Sequence, residues 1–173
     1  MNRTISMAVC AVLLVPLASL FTVRLVAAAT SGATPVAVAD FDYRDTSGEV
    51  KNQTAQHAER MRLFERRLRD RLAADKNYDL RRMDCKKQPC SAGNMDPGAL
   101  IAAARHAGAR LLIYGGIHKM STLIQWGNVQ VLDLRNKKLL LDRTFTFRGD
   151  TDKAFRKAAG FIAQTLQGVT PKS

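Results

Sequence analysis

Behind an apolar leader, hydrophobic and polar positions along the chain mark out eight elements. Pro35 to Tyr43 alternates and is rich in Val and aromatic residues, which predicts a strand closed by the turn residues Asp45-Thr-Ser-Gly48. From about Thr54 to Ala74 the period changes. Ala58, Met61, Phe64, Leu68 and Leu72 recur at three- and four-residue steps, the stripe of an amphipathic helix. Arginines flank the stripe, and Glu65 with Arg69 and Arg66 with Asp70 are spaced for i,i+4 pairs, so that face reads as solvated and self-paired. Tyr78 to Met83 reads as a short strand. Asp96-Pro97 opens a second helix, through Leu100, Ile101, Ala104 and Arg105, that closes at Gly108.

Arg110 to Ile117 is almost continuously apolar, as in a central strand covered on both faces. His118 to Thr122 is expected to turn the chain into a longer strand over Leu123 to Leu134, with a possible bulge at Gly127-Asn128. Arg135 to Lys138 makes a hairpin turn into Leu139 to Arg148, where Thr144-Phe-Thr-Phe147 alternates strictly. A last helix spans about Thr151 to Gln167, with Phe155, Ala158, Ala159, Ile162 and Leu166 on its apolar side. The order β-α-β-α-β-β-β-α predicts an α/β (α+β) fold: a mixed sheet of about five strands, parallel then antiparallel, with three packing helices.

The leader changes the picture of where this fold works. Arg3 precedes an apolar run from Ile5 to Phe21, and Ala27, Ala28 and Ala29 then supply a small-residue cleavage pattern. Residues 1–29 therefore read as a signal peptide and 30–173 as a single exported, periplasmic domain. An uncleaved anchor is the competing reading, because the run is nearly long enough to span a bilayer. Pro16 and Arg24 argue for cleavage. Cys10 lies inside the run, where no lipid-attachment cysteine would sit, and leaves with the signal.

Export gives meaning to the remaining cysteines. Cys85 and Cys90 form an even pair at short separation in an oxidising compartment, which reads as a disulfide. Half a metal site or a redox pair are the rivals, but further ligands are missing nearby and the spacing is not Cys-x-x-Cys. Charge points outward as well. The chain carries 27 Lys+Arg against 15 Asp+Glu, a net +12, of which Arg3 and Arg24 belong to the leader. Such a surface favours anionic partners. Nucleic acid is excluded by the export signal and by an aromatic content of 6% without an aromatic-basic stacking pattern.

Three stretches, Val36 to Gly48, Gly115-Gly-Ile-His-Lys-Met-Ser-Thr122 and Thr146-Phe-Arg-Gly-Asp-Thr-Asp152, resemble a family of exported proteobacterial proteins known as a domain of unknown function. The resemblance covers nearly all of the chain after the leader, and implies a compartment and a fold but no activity. The element order is also similar to the amino-terminal domain of the TolB translocation protein and to curli-secretion-type envelope factors. That likeness implies an interaction module, although fold does not establish function.

Candidate chemistry is sparse. Asp40, Asp42 and Asp45 stand at the carboxyl end of the first strand, where three carboxylates could hold a hard cation, but their spacing is not that of an EF-hand loop. Strand-end and turn aspartates account for them without a ligand. His118, beside Lys119 and after two glycines, could serve as a base or a pH-sensitive contact, while His57 and His106 fall on helices. Arg148 is expected to pair with Asp150 or Asp152 around an Arg-Gly-Asp turn, with Asp150 or Thr151 capping the last helix. No nucleophile elbow, P-loop, His-Glu-x-x-His or dinucleotide fingerprint occurs.

No catalytic residue, metal site or cofactor is therefore expected. Asp40, Asp42, His118, Lys119, Trp126, Arg148 and Asp150 are the candidate contacts. The leading expectation is a non-catalytic binding or accessory module that uses a sheet edge or the His118 to Trp126 region against an envelope protein or anionic envelope component. Membrane contact is expected only through the signal segment. The alternative is a small-ligand or metal-binding protein, or a minor hydrolase, using Asp40, Asp42 and His118.

Overall fold

A computed structural model describes residues 32–86 and 88–171. The expected signal peptide, its expected cleavage site and Cys10 lie outside the described residues. The elements follow in the order β1 (Thr34–Val38), β2 (Asp42–Asp45), α1 (Thr54–Ala73), β3 (Tyr78–Arg81), α2 (Pro97–His106), β4 (Leu111–Lys119), β5 (Ile124–Asp133), β6 (Lys138–Arg148) and α3 (Asp152–Leu166). They build one mixed sheet in the order β3-β1-β4-β5-β6, with β2 also pairing β4. β1 runs parallel to β3 and β4, and β4, β5 and β6 form an antiparallel meander. The expected α/β class and mixed sheet are correct.

The strand expected over 35–43 is two strands. Between the pairs Val38–Ile113 and Asp42–Gly116, three residues of the first segment face only two of β4. This inserts a bulge at Ala39, Asp40 and Phe41 and makes the sheet six-stranded. Each backbone N–H there still finds an acceptor: Ala39 on Ile113 O (2.8 Å), Asp40 on Cys90 O (2.9 Å) and Phe41 on Glu65 Oε1 (2.9 Å).

A second bulge sits at the Leu139–Leu141 step of β6, not at Gly127-Asn128. Gly127 has a different reason to lack a side chain: a Cβ there would lie 2.5 Å from Gly116 O and 2.6 Å from the Phe145 ring. At Gly115 it would lie 2.1 Å from Asn128 O and 2.9 Å from the ring of Phe41. Strand neighbours and two aromatic rings, rather than a ligand, claim these spaces. His118 and Lys119 continue β4 instead of turning the chain.

The sheet divides the core. On one face Val36, Val38, Leu111, Ile113, Val129, Val131 and Phe145 meet the apolar stripes of α1 and α3. All five stripe residues expected on α3 are buried. On α1, His57 takes the inward place expected of Ala58, which is exposed. Glu65 and Arg69 pair as expected (3.6 Å), whereas Arg66 pairs with Glu59 (3.5 Å) rather than Asp70.

On the other face α2 packs Leu100 and Ala104 against Ala37, Ala39, Leu112 and Leu134. Asp96 caps that helix, accepting from the N–H groups of Gly98 (2.8 Å) and Ala99 (3.2 Å). On this face α2 packs over β1 and the start of β4. Asp133 closes the β5–β6 turn, taking a two-point pair from Arg110 (2.6 and 2.8 Å) and the N–H groups of Arg135 and Asn136. Among the described residues no helix is long and apolar enough to cross a membrane.

Candidate functional site

Parallel β2 and β4 end side by side, with Arg44 opposite His118 and Asp45 opposite Lys119. Strand alternation then sorts the candidates onto two faces. Asp42, Arg44, Gly116 and His118 stand on the uncovered face, and Tyr43, Asp45 and Lys119 on the helix-covered one. His118 and Lys119, adjacent in sequence, therefore belong to different environments.

Lys119 is 0% exposed. Its ammonium donates to Glu49 Oε2 (2.6 Å) and Asp150 Oδ2 (2.9 Å), with Asp45 Oδ2 at 3.7 Å. His57 sits between Asp150 (Nε2 to Oδ2, 3.0 Å) and Asp45 (Nδ1 to Oδ2, 3.6 Å), and its Nε2 lies 3.4 Å from Lys119 Nζ. A carboxylate only accepts, so Nε2 carries the hydrogen directed at Asp150. Arg60 completes the group with a 2.6 Å contact to the second oxygen of Asp150. Gly149, at φ +93°, makes the turn before Asp150 possible, and Thr151 caps α3 from the next position. Asp150 thus pairs with Lys119, His57 and Arg60, not with the expected Arg148.

Electrostatics favour the ionised forms. Burial opposes the charge on Lys119, but the hydrogen bonds it donates to Glu49 and Asp150 and the fields of Asp150 and Asp45 outweigh it and raise its pKa above the usual lysine value. Burial likewise opposes ionisation of Asp150, and Lys119, His57 and Arg60 together still hold its carboxyl below the usual range. For Asp45 the same penalty is outweighed first by Ser47, then by Lys119 and His57. The buried Tyr43 hydroxyl, repelled by Asp150 and Asp45, has its pKa pushed up and stays neutral. A lysine held charged with its hydrogens engaged is neither base nor nucleophile. Its effect is mechanical: it ties the 46–53 loop, the end of β4 and the start of α3 together. A cleft of about 640 Å³ runs between that loop and α1, past Tyr43, Ser47, Glu49 and His57.

Asp40 and Asp42 have a structural task. Asp40 pairs with Arg69 (2.8 Å) and accepts from Cys90 N (2.9 Å); Asp42 accepts from Ser91 Oγ (2.6 Å) and Gly93 N (2.8 Å). They dock the loop closed by the Cys85–Cys90 disulfide, whose Cα atoms are 5.5 Å apart. His118 contacts Thr46 Oγ1 through Nε2 (2.6 Å); it lines one groove with Asp42 but makes no hydrogen bond to either aspartate. Among the described residues no group of three or more His, Cys, Asp or Glu is arranged to hold a metal ion.

Beyond α2 the second face of the sheet is open. Trp126 stands opposite His118 with ring centroids 5.4 Å apart, and Thr146 follows on β6. Arg44 lies on one side and Arg148, opposite Ile124, on the other. Between them Gly116 and Asn128 help to line a shallow groove of about 270 Å³. Of the candidates, Asp42, His118, Trp126 and Arg148 share this face; Lys119 and Asp150 share the buried cluster; Asp40 and Asp42 also hold the disulfide loop.

Residues 34–166, from the first residue of β1 to the last of α3, match the family described as "Protein of unknown function (DUF2380)". The chain belongs to that family. No curated protein matches it. Among solved structures it is similar to TolB from Acinetobacter baumannii, with 11% identity and a TM-score of 0.49, over 80% of this chain and 28% of that one. It thus spans under a third of that protein. The LpoB C-terminal domain from Salmonella enterica gives 13% identity and a TM-score of 0.45 over 69% and 85% of the two chains. The PelC dodecamer from Paraburkholderia phytofirmans gives 15%, 0.45, and 81% and 90%. At these values the likeness carries no functional information.

Proposed function

We infer that the protein is an exported, non-catalytic binding module of the cell envelope, and that the open sheet face around Trp126 receives its partner. One observation carries this reading: a half-covered sheet presents an aromatic side chain tilted against His118, between two arginines, with no covering element of its own among the described residues. Monomeric domains seldom leave such a face unused. The arginines and a net charge of +10 after the leader (27 − 2 − 15) select an anionic partner. The metal-binding or hydrolytic alternative has less support, because the carboxylates it needs are engaged by the chain's own donors.

The test is site-specific photo-cross-linking in the native envelope. A cross-linker at Asn128 or Thr146, on the open face, should capture an envelope component, while one at Gln164 on α3 should not. Capture from neither open-face position, or equal capture from Gln164, would reject the reading.

A further inference from the structure

Exposed apolar side chains are ordinary when scattered; their concentration is informative. Six large apolar side chains are exposed among the described residues, and four stand at one pole. Val50 lies in the loop after β2; Met120, Leu123 and Ile124 lie on the β4–β5 hairpin. Both segments leave the sheet at the same end, where Thr46 N donates to Lys119 O (2.9 Å). Val50 is 103% exposed, Met120 54%, Leu123 69% and Ile124 44%. A valine with full exposure touches nothing and projects from the surface.

Of the acids of this pole, Glu49 and Asp150 are turned inward, while Asp45 and Asp152 keep 32% and 60% side-chain exposure. Asp45, Glu49 and Asp150 are engaged by Lys119, His57 and Arg60. Asp152 is held by Arg60 as well, whereas Arg44, Lys51 and Arg148 are exposed and form no ion pair among the described residues, supplying unpaired positive charge at the surface. Trp126 lies on the same face as Ile124, two residues along β5. The described chain begins and ends at the other pole, where Thr34 N bonds Asn77 O (2.7 Å) and the Tyr78 hydroxyl bonds Val169 O (3.0 Å).

We propose that this pole docks on an anionic phospholipid surface. Val50, Met120, Leu123 and Ile124 enter the headgroup region while Arg44, Lys51 and Arg148 meet the phosphates. This rests on the binding-module reading and names its partner. A fluid surface accepts side chains that project separately from two loops, whereas a protein partner needs a closely fitted patch of about 800 Å² per side. An indole at the edge of such a contact suits the water–lipid boundary. Membrane contact is thus extended from the signal segment to the folded domain.

The chain contains one tryptophan, so its fluorescence reports on this pole alone, whatever the leader does. Trp126 is about 7 Å along the strand from Ile124. The protein recovered after export is mixed with vesicles of brominated phosphatidylglycerol or brominated phosphatidylcholine. Quenching is expected with the anionic lipid, diminishing with salt. Arg44→Gln and Arg148→Gln should each weaken it about fivefold. Leu123→Asp, at an exposed tip, should abolish it with an unchanged thermal melt. Absence of quenching by the anionic vesicles, or quenching equal in neutral lipid and indifferent to Leu123→Asp, overturns the proposal. If that happens while the open face still cross-links to an envelope protein, the lipid partner falls and the binding-module reading stands; loss of both signals removes both.

Discussion

Replacing Lys119 by methionine keeps the length of a side chain that is 0% exposed and removes its charge. The variant leaves Glu49 with its contact to Gln53, and Asp150 with His57 and Arg60. Those carboxylates are themselves nearly buried, at 17% and 11% side-chain exposure. Removing one partner of a buried charge group costs about 3–5 kcal/mol, because the survivors stay desolvated without compensation. A domain of this size has a total stability of about 5–15 kcal/mol, so the loss is a large fraction of it. At roughly 3 °C per kcal/mol the melting temperature should fall by about 10–15 °C.

The pH dependence separates this from a mere packing defect. Asp45 and Asp150 have depressed folded-state pKa values, so their contribution is present above the unfolded value of about 3.9 and is lost as pH falls through the folded one. Lys119 has a raised value, so its contribution is present below about 10.4 and is lost as pH rises past that. The gap between wild type and Lys119→Met, measured by urea unfolding, should therefore be widest between about pH 5 and pH 9 and shrink toward pH 3. A double-mutant cycle with Glu49→Gln should give a coupling above about 1 kcal/mol. A gap below 1 kcal/mol, or one equal at pH 3 and pH 7, would refute the hub.

Three further outcomes follow from other buried groups. Asp133, held at about 2 chiefly by Arg110, contributes stability that is present above about pH 4 and lost toward pH 2; Asp133→Asn should cost about 2–3 kcal/mol at pH 7 by chemical denaturation and flatten that acid limb. Gln125, opposite Lys119, is buried with neither amide atom hydrogen-bonded among the described residues, so Gln125→Met should stabilise the domain by about 1–2 kcal/mol in the same assay. The Cys85–Cys90 bond should appear in intact mass as a gain of two hydrogens on reduction, and the double serine variant should lose about 2 kcal/mol.

The helices, the meander and the disulfide were legible because each rests on local pattern: the α3 stripe, the Asp96 cap, the strict alternation of Thr144 to Phe147. The split of the first strand was not, because the bulge depends on acceptors more than twenty residues away, Glu65 and Cys90. The charge cluster was half visible. Lys119 and Asp150 stand among the sequence candidates, but His57 is read only as a helical residue, because Ala58 fits the apolar stripe as well as a histidine does. A signal was present all the same. On β4, Ile113, Gly115 and Ile117 point inward, and the same phase carries Lys119 into the core. A lysine on that phase must find buried anions, and the chain offers few beyond the Asp45–Glu49 turn and the Asp150 turn.

The buried cluster and the exposed pole are two sides of one arrangement. A loop bearing an isolated Val50 and a hairpin bearing Met120, Leu123 and Ile124 have little apolar packing to hold them in place. Lys119 ties them electrostatically, since Asp45 ends β2, Glu49 belongs to the loop that follows, Lys119 closes the strand before the hairpin, and Asp150 precedes the cap of α3. The same contacts hold Glu49 and Asp150 away from solvent and leave Arg44, Lys51 and Arg148 unpaired to face the partner. A neutral substitution at Lys119 should therefore weaken binding as well as folding, by releasing acids toward an anionic surface. Arg148→Gln should weaken binding alone.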